Sequence, residues 1–313
     1  MTGTVEITGD QQFLRDLIAA RLLLPSGEPG IFGHGMVFED VQTRFDAMVT
    51  HASLPDKPEN LRFPPVMPKR VLEAAGYLQT SPQLCGAVFG FDGGEEAARD
   101  LAQRVSRQDD WSTHLSMTGV VLVPAACYPA YPAIAQRGTL PEPGVTLDLG
   151  ACNVFRHEPS SDPARLQIFH QREMVRIGEE ADVLAWRESW LTRAGKLFEQ
   201  VGLSPALVLA SDPFFGRAGK FLANSQREQR LKFEMAVPIA TPIPTAIVSF
   251  NFHQDHFGAA FGMHLHDGRV ASSACVGFGL ERIALALFRA HGTDIRAWPG
   301  KVQRCLWPDG HRF

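Results

Sequence analysis

The stretch FRHEPSSDPARLQIFHQREMVRI, residues 155–177, indicates two antiparallel strands joined by a turn. PSSDPAR supplies turn-forming residues between FRHE and the returning LQIFHQREMVRI. Strand alternation places Arg156 and Glu158 on one face, and it places Phe169 and Glu173 together on the returning strand. This combination is typical of a nucleotide site, because a guanidinium binds phosphate and a phenyl ring stacks on a base. A surface hairpin with cross-strand ion pairs is the alternative.

Strand-like runs also precede and follow this hairpin in direct succession. They lie at residues 145–150, 151–158, 246–253, 258–266 and 269–278. Because no crossover helix separates these runs, they predict an antiparallel sheet. Helical patterns at 36–51, 182–201, 223–233 and 279–291 are expected to flank it. The fold class is therefore predicted as α+β, with an antiparallel β-sheet flanked by helices.

The composition excludes several classes of protein. The chain has 313 residues, of which 45% are hydrophobic and 20% charged, and a net charge of -4. These values indicate a soluble globular protein without an extended nucleic-acid surface. Arg15, Asp16 and Arg21 interrupt the N-terminal apolar run, which predicts an amphipathic helix and no membrane segment. Five scattered cysteines without a CxxC pair fit a reducing compartment, so we expect the protein in the cytoplasm.

A second signal is the segment RVASSACVGFGLERIALALFRAHG, residues 269–292, which predicts a strand, a glycine break and a helix. Gly277 and Gly279 permit close approach of the backbone, and Arg282 falls in the first turn of an apolar helix. The fold would aim such an arginine in a defined direction. An ordinary connection between a strand and a helix has the same pattern.

Together these segments resemble motifs 2 and 3 of class II aminoacyl-tRNA synthetases, nearest the seryl enzymes. VLEAAGYLQTSPQL, residues 71–84, resembles motif 1, the dimer motif, although Ser81 replaces the aromatic residue of the relatives before Pro82. From about residue 60 onward, the chain is similar to the amino acid:[carrier protein] ligases, truncated seryl-synthetase homologues that lack the tRNA-binding arm. The resemblance implies a class II synthetase-like catalytic domain over residues 61–313 and a homodimer. Residues 1–60, too poor in heptads for a long arm, are expected to form a helical lead-in packed on that domain.

The resemblance also implies an ATP site. Its residues would be Arg156, Glu158, Arg165, Leu166, Phe169, Lys232, Glu234, Ala246, Ile247, Val248, Ser249 and Arg282. Arg156 and Glu158 would hold the α-phosphate and adenine, while Arg282 would reach the γ-phosphate, with Mg²⁺ bound to ATP. Asn251, on the face of Ser249, and Glu173 would contact the amino-acid substrate. The catalytic residues would be Arg156, Glu173 and Arg282.

A catalytic zinc ion is implied as well, with Cys127, Glu173 and Cys275 as ligands. Two thiolates and a carboxylate leave one open position on a tetrahedral zinc, as in catalytic sites. The sequence alone favours small buried hydrophobic residues at both cysteines, and the resemblance to the family reverses this preference. A rival metal cluster has its candidate ligands in NFHQDHFG and MHLHD. They are His253, Asp255, His256, His264 and His266, of which the last two would share a strand face.

The expected reaction activates glycine or alanine with ATP as an aminoacyl-adenylate and transfers it to the phosphopantetheine thiol of a carrier protein. Small residues flank both cysteines, so no partner is offered to a large or charged substrate side chain. Residues 217–232 are a candidate basic docking helix for an acidic carrier protein, or a solvated helix face. No tRNA and no membrane are expected as partners. The alternatives are a non-catalytic paralogue that binds an amino acid or nucleotide, and a zinc hydrolase that uses the histidines.

Overall fold

The computed structural model describes residues 9–310. Residues 1–8 and 311–313, the outer ends of the two expected domain ranges, lie outside the described residues. The helices are α1 (Gly9–Ala19), α2 (Met36–Ser53), α3 (Lys69–Ala74), α4 (Tyr77–Thr80), α5 (Glu95–Arg107), α6 (Ala130–Ala135), α7 (Glu180–Gln200), α8 (Gly216–Glu228), α9 (His256–Phe261), α10 (Leu280–His291) and α11 (Gly300–Leu306). The strands are β1 (Leu23–Pro25), β2 (Phe32–His34), β3 (Glu59–Asn60), β4 (Val66–Pro68), β5 (Ala87–Phe91), β6 (Leu115–Leu122), β7 (Val145–Phe155), β8 (Ile168–Gly178), β9 (Ala206–Leu209), β10 (Lys232–Pro238), β11 (Pro244–Gln254) and β12 (Ser272–Gly279).

A central sheet of seven strands organises the molecule, in the order β3-β7-β8-β12-β11-β10-β9. Every neighbouring pair is antiparallel except the short β3 beside β7. Two small antiparallel sheets, β4-β6-β5 and β1-β2, lie outside it. The α+β prediction with an antiparallel sheet is confirmed.

The hairpin of β7 and β8 holds the stretch from which the sequence analysis began. Phe155 pairs with Ile168, and a bulge follows Asp148, where Gly150 has a φ of +63°. The two predicted runs 145–150 and 151–158 are therefore one bulged strand that ends at Phe155. Arg156 follows the strand, and its backbone N–H donates to Gln167 over 2.8 Å, which extends the hairpin by one contact.

The structure corrects two predicted elements. Residues 258–266, expected as a strand, form the end of α9 and a turn. The helix places Phe257 and Phe261 on one face, where both stack on Tyr131 with ring centroids 4.1 and 6.2 Å away. The helix predicted over 223–233 is α8, which begins earlier and ends at Glu228 because the following residues enter β10 and pair with β11.

Each face of the central sheet buries its own apolar core. On one face, α2, α7 and α10 contribute Phe45, Trp190 and Phe288 to a core that includes Phe278 of β12. On the opposite face lies a second core around Tyr131 and Phe257. Cys127 and Cys275 belong to this second core, together with Val175 of β8. Alternation along β8 therefore turns odd-numbered residues toward the second core, where the candidate site lies.

The N-terminal segment packs on the same sheet. Helix α2 contacts α7, α10 and α11. Its buried Phe38, Val41 and Phe45 belong to the core that α2, α7 and α10 form on the first face of the sheet, called the helix-side core below. The division into a lead-in and a catalytic domain at residue 60 stays a prediction. Among residues 9–310, no helix is both long and apolar enough to cross a membrane.

Candidate active site

Three buried ligand groups converge on the second face of the sheet. One ligand atom from each of Cys127, Glu173 and Cys275 lies within 4.8 Å of the other two. β8 supplies Glu173 and its neighbour β12 supplies Cys275, while Cys127 lies in the loop between β6 and α6. Gln171 of β8 fixes this loop, because its side-chain oxygen accepts from the backbone N–H of Ala126 over 3.1 Å. The sheet thus brings together residues that are about 150 positions apart along the chain.

The chemistry of the cluster fits a divalent cation. Oε2 of Glu173 is buried and has no hydrogen-bond partner. Burial raises the pKa of Glu173 and of the Cys127 thiol, and the hydrogen bond with Cys127, together with burial, raises the pKa of Cys275 well above its usual value. A bound cation would stabilise the deprotonated forms of these buried acids, which burial otherwise disfavours. Two sulfur ligands and one oxygen suit zinc, with one position left open.

The candidate phosphate residues gather beside this cluster. The guanidinium of Arg156 lies 5.7 Å from the ring centroid of Phe169, and its Nε donates to Pro124 over 3.2 Å. Arg282 donates to the carbonyl of Ala164 over 2.8 Å and to that of Ala246 over 3.1 Å. Burial lowers the pKa of Arg282, and the charge of Arg156 acts in the same direction, so the two arginines are close enough to interact. Two neighbouring cations favour the binding of an anionic ligand.

The remaining candidates for ATP contact have different environments. Ile247 and Val248 are buried in the helix-side core, which leaves mainly their backbone for a nucleotide. Leu166 is also buried, whereas the Arg165 side chain is exposed and lies 3.9 Å from Asp162. Lys232 and Glu234 form an ion pair of 3.3 Å. Glu158 and Ser249 are partly buried.

Asp212 is a site residue that the sequence analysis missed. It follows β9, and its carboxylate lies 2.6 Å from Nζ of Lys232. Burial opposes ionisation of Asp212, but the charge of Lys232 and the hydrogen bonds from Lys232 and Gln226 together outweigh burial and lower the pKa of the carboxyl to about 2. The side-chain amide of Gln226 in α8 also donates to Asp212 over 2.8 Å. The sequence signal that could have identified Asp212 is its position in a loop directly after a strand, where functional residues are common.

Tyr77 is a second such residue. Its hydroxyl is buried without a hydrogen-bond partner, and burial raises its pKa to about 12. Arg156 acts electrostatically on this hydroxyl, which places it toward the same cleft. Tyr77 lies in the motif 1-like segment, where the sequence analysis looked for a dimer contact and not for a site residue.

The substrate candidate Asn251 lies beside the metal cluster. Its Nδ2 is 3.4 Å from Oγ of Ser249 and 3.3 Å from Sγ of Cys275. The predicted shared face of Asn251 and Ser249 is therefore present. Asn251, however, directly contacts Cys275, a candidate metal ligand.

The histidine cluster does not form. His264 forms only an isolated β-bridge with Val270 and contacts the Gly262 carbonyl, whereas His266 lies in the following turn and pairs with Glu142. His256 instead contacts the Ala75 carbonyl. Within residues 9–310, only Cys127, Glu173 and Cys275 satisfy the geometry of a metal cluster. His253 lies next to that cluster, with its Nε2 3.4 Å from Sγ of Cys275.

Relatives with known names cover almost the whole chain. Amino acid–[acyl-carrier-protein] ligase 1 of Bradyrhizobium diazoefficiens is 42% identical over 297 residues, which are 95% of this chain and 90% of that protein. Ligase 2 of the same organism is 43% identical over 93% of this chain and 87% of that protein. The type-2 serine–tRNA ligase of Methanopyrus kandleri is 27% identical over 59% of this chain and 37% of that enzyme. The sequence matches no protein-family model.

Solved structures share the fold. The M. kandleri seryl-tRNA synthetase, crystallised with an A. aeolicus tRNASec, superposes with a TM-score of 0.80 at 18% identity. The superposition covers 98% of this chain and 62% of that one. A Giardia lamblia prolyl-tRNA synthetase with bound prolyl-adenylate gives a TM-score of 0.67 at 13% identity, over 90% of this chain and 53% of that one. With 42% identity along most of both sequences and the fold of a class II synthetase catalytic domain, the chain belongs to the amino acid–[acyl-carrier-protein] ligase family.

Proposed function

We propose that the protein activates a small amino acid with ATP and transfers it to the phosphopantetheine thiol of a carrier protein. The names of its relatives supply the two substrate classes, an amino acid and an acyl-carrier protein. The observation that carries the proposal is the position of Arg156, which lies against Phe169 and acts electrostatically on Glu173 of the metal cluster. A nucleotide bound to this arginine would have its phosphates near the cluster.

In the first step, the substrate carboxylate attacks the α-phosphorus of ATP, a P–O bond forms, and pyrophosphate leaves. Arg156 holds the α-phosphate and stabilises the charge that develops there, while Arg282 holds the γ-phosphate. Both guanidiniums are anchored by backbone carbonyls, so they are oriented before ATP arrives. Glu158 and the Phe169 ring hold the adenine, and Mg²⁺ accompanies the phosphates.

Cys127, Glu173 and Cys275 would hold a zinc ion, whose open position supplies a site for the neutral α-amino group of the substrate. This arrangement orients the carboxylate toward the phosphates. Ala126 lies in the same core as the two cysteines and offers no partner to a polar or charged side chain, whereas Ala274 faces the opposite core. We therefore propose glycine or alanine as the substrate; an extra methylene discriminates by only about 1 to 3 kcal/mol, so both can react.

In the second step, the carrier's thiol attacks the activated carbonyl, a thioester forms, and AMP leaves. Helix α8 is the proposed docking surface, because it presents Arg217, Lys220 and the exposed Phe221 to a partner. Its Gln226 bonds to Asp212, which pairs with Lys232, so the helix is joined to the site. A tRNA acceptor would require an extended basic surface, which a net charge of -4 does not favour.

We also propose a homodimer. Phe89 of β5 and Met117 of β6 lie opposite each other on the small sheet and are 55% and 50% exposed. A second copy of the chain would cover this apolar face, as a face of this kind marks an interaction surface. We place the protein in the cytoplasm, since all five cysteines are free thiols in the structure.

The test has two readouts. Exchange of labelled pyrophosphate into ATP, measured with each of the twenty amino acids, is expected to peak at glycine and alanine. Mass spectrometry of a phosphopantetheinylated carrier protein is expected to show the aminoacyl thioester. Absence of exchange with every amino acid would overturn the activation step, and exchange followed by charging of bulk tRNA would overturn the acceptor.

A further inference from the structure

Strand alternation places His253 of β11 on the face of Ser249 and Asn251, beside the metal cluster. The pairing with β12 passes from Phe252 opposite Ala274 to Gln254 opposite Ser273, so His253 has no partner residue on that strand. Bulges of this kind occur next to active sites. Here the imidazole turns to Sγ of Cys275, 3.4 Å from its Nε2.

The contacts of the ring determine which nitrogen carries the proton. Nδ1 lies 3.0 Å from Oγ of Ser273 and 3.4 Å from the hydroxyl of Tyr131. The nearer Ser273 hydroxyl can donate, which makes Nδ1 the acceptor of the neutral imidazole. The proton is then on Nε2 and points to the sulfur of Cys275.

The same sulfur has a second donor. Nδ2 of Asn251 lies 3.3 Å away, and Asn251 pairs with Cys275 across β11 and β12. Cys127 receives a hydrogen bond from Tyr131 instead. A connected set of uncharged donors, joined through His253 and Tyr131, thus contacts both thiol ligands of the cluster.

We propose that His253 is a positioning residue for the metal site, donating from Nε2 to the thiolate of Cys275 and fixing its orientation. This inference rests on the zinc site of the proposed function. Three deprotonated ligands carry one negative charge more than a divalent cation neutralises. Uncharged donors reduce the repulsion without adding a cation that would compete with the metal. Asn251 shares this role, in addition to any contact with the amino acid.

Two substitutions at one position test the proposal. His253→Phe keeps a planar ring but removes the donor, whereas His253→Gln keeps a donor. Loss of a hydrogen-bond donor to a metal ligand typically weakens metal binding about 10- to 100-fold. We expect zinc affinity to fall by this factor in the Phe variant and to be largely restored in the Gln variant. His264→Ala, remote from the cluster, is the matched control. Zinc affinity is measured by competition with a chromogenic chelator.

A spectroscopic signature separates this role from general loosening of the fold. In the cobalt-loaded protein, removal of a hydrogen bond from the thiolate is expected to shift the thiolate-to-cobalt charge-transfer band to longer wavelength. Ser273→Ala, which frees Nδ1, is expected to shift it in the same direction by less. This variant keeps the proposal testable if His253→Phe does not fold.

The outcomes distinguish the inference from the proposed function. Unchanged zinc affinity and an unchanged cobalt band in both His253→Phe and Ser273→Ala would overturn the role of His253 and leave the zinc site standing. Equal weakening in His253→Phe and His253→Gln would show that donation is not the cause and would also overturn it. Parent protein that binds no zinc would overturn both, whereas pyrophosphate exchange would still report on ATP activation.

Discussion

The pKa values of Cys127, Glu173 and Cys275 are all raised, chiefly by burial for the first two and by the hydrogen bond with Cys127, together with burial, for Cys275. We expect the purified protein to contain about one zinc ion per chain. Cys127→Ser and Cys275→Ser should each lower that content in metal analysis. Cys152→Ser is the control, because Cys152 is also buried on β7 but belongs to no ligand cluster in the described residues. Full zinc content in both ligand variants would contradict the assignment.

Arg156 and Arg282 carry the second prediction at the residue scale. Substitution of either by alanine removes charge stabilisation worth about 2 to 4 kcal/mol, which corresponds to about 30- to 1,000-fold in rate. Pyrophosphate exchange should fall by this factor. Arg296→Ala removes an exposed arginine that pairs only with Asp294 nearby and should leave the rate unchanged. Exchange at the parent rate in Arg156→Ala would disprove the nucleotide site.

At the scale of elements, β8 and α10 are joined by His170 and Glu281. The imidazole lies 2.7 Å from the buried carboxylate, and this hydrogen bond raises the pKa of His170. A raised pKa means that the stabilisation is fully present below the unfolded value near 6.5 and is lost as pH rises through the folded value. In urea unfolding, the parent should therefore lose more stability than His170→Gln between pH 6 and pH 9. Parallel pH profiles would contradict this ion pair.

A buried ion pair attaches β8 to the bulge of β7. Arg172 contacts Asp148, which also accepts from the N–H of Gly150 over 2.8 Å. Arg172 keeps a second partner, Asp46, at 3.0 Å. Asp148→Ala therefore removes one of two charged partners of a buried arginine, and we expect it to lower the free energy of unfolding by about 1.5 to 3 kcal/mol. Asp100→Ala, which breaks an exposed pair with Arg104, should change it by less than about 1 kcal/mol. Equal effects of the two substitutions in urea unfolding would show that burial does not decide the difference.

For the whole molecule, two exposed phenylalanines distinguish two proposed surfaces. Phe89→Glu places a charge in the apolar sheet face and should convert a dimer into monomers of 34.4 kDa, as measured by light scattering. Phe221→Glu, on α8, should leave the dimer intact and slow transfer to the carrier protein. A monomeric parent protein would refute the dimer. Unchanged transfer by the Phe221 variant would remove α8 as the docking surface.

Local patterns of the sequence determined the hairpin and the antiparallel sheet, because strand periodicity and direct succession of strands are properties of neighbouring residues. They also placed Arg156 and Phe169 in one hairpin, and these residues are in contact. The same patterns failed for residues 258–266. There, apolar alternation suggested a strand, but stacking of Phe257 and Phe261 on Tyr131 favoured a helix.

Tertiary structure alone decided which of the candidate metal ligands meet. The sequence left both a cysteine and a histidine cluster open, and strand pairing brought Cys275 to Glu173 while His264 lies elsewhere, in an isolated β-bridge. It also decided the pairing of Asp212 with Lys232 and the orientation of His253. These contacts depend on strand register and on the pairing of distant segments. A shift of one position would reverse the face of every side chain, so periodicity within one segment cannot encode which distant residues converge.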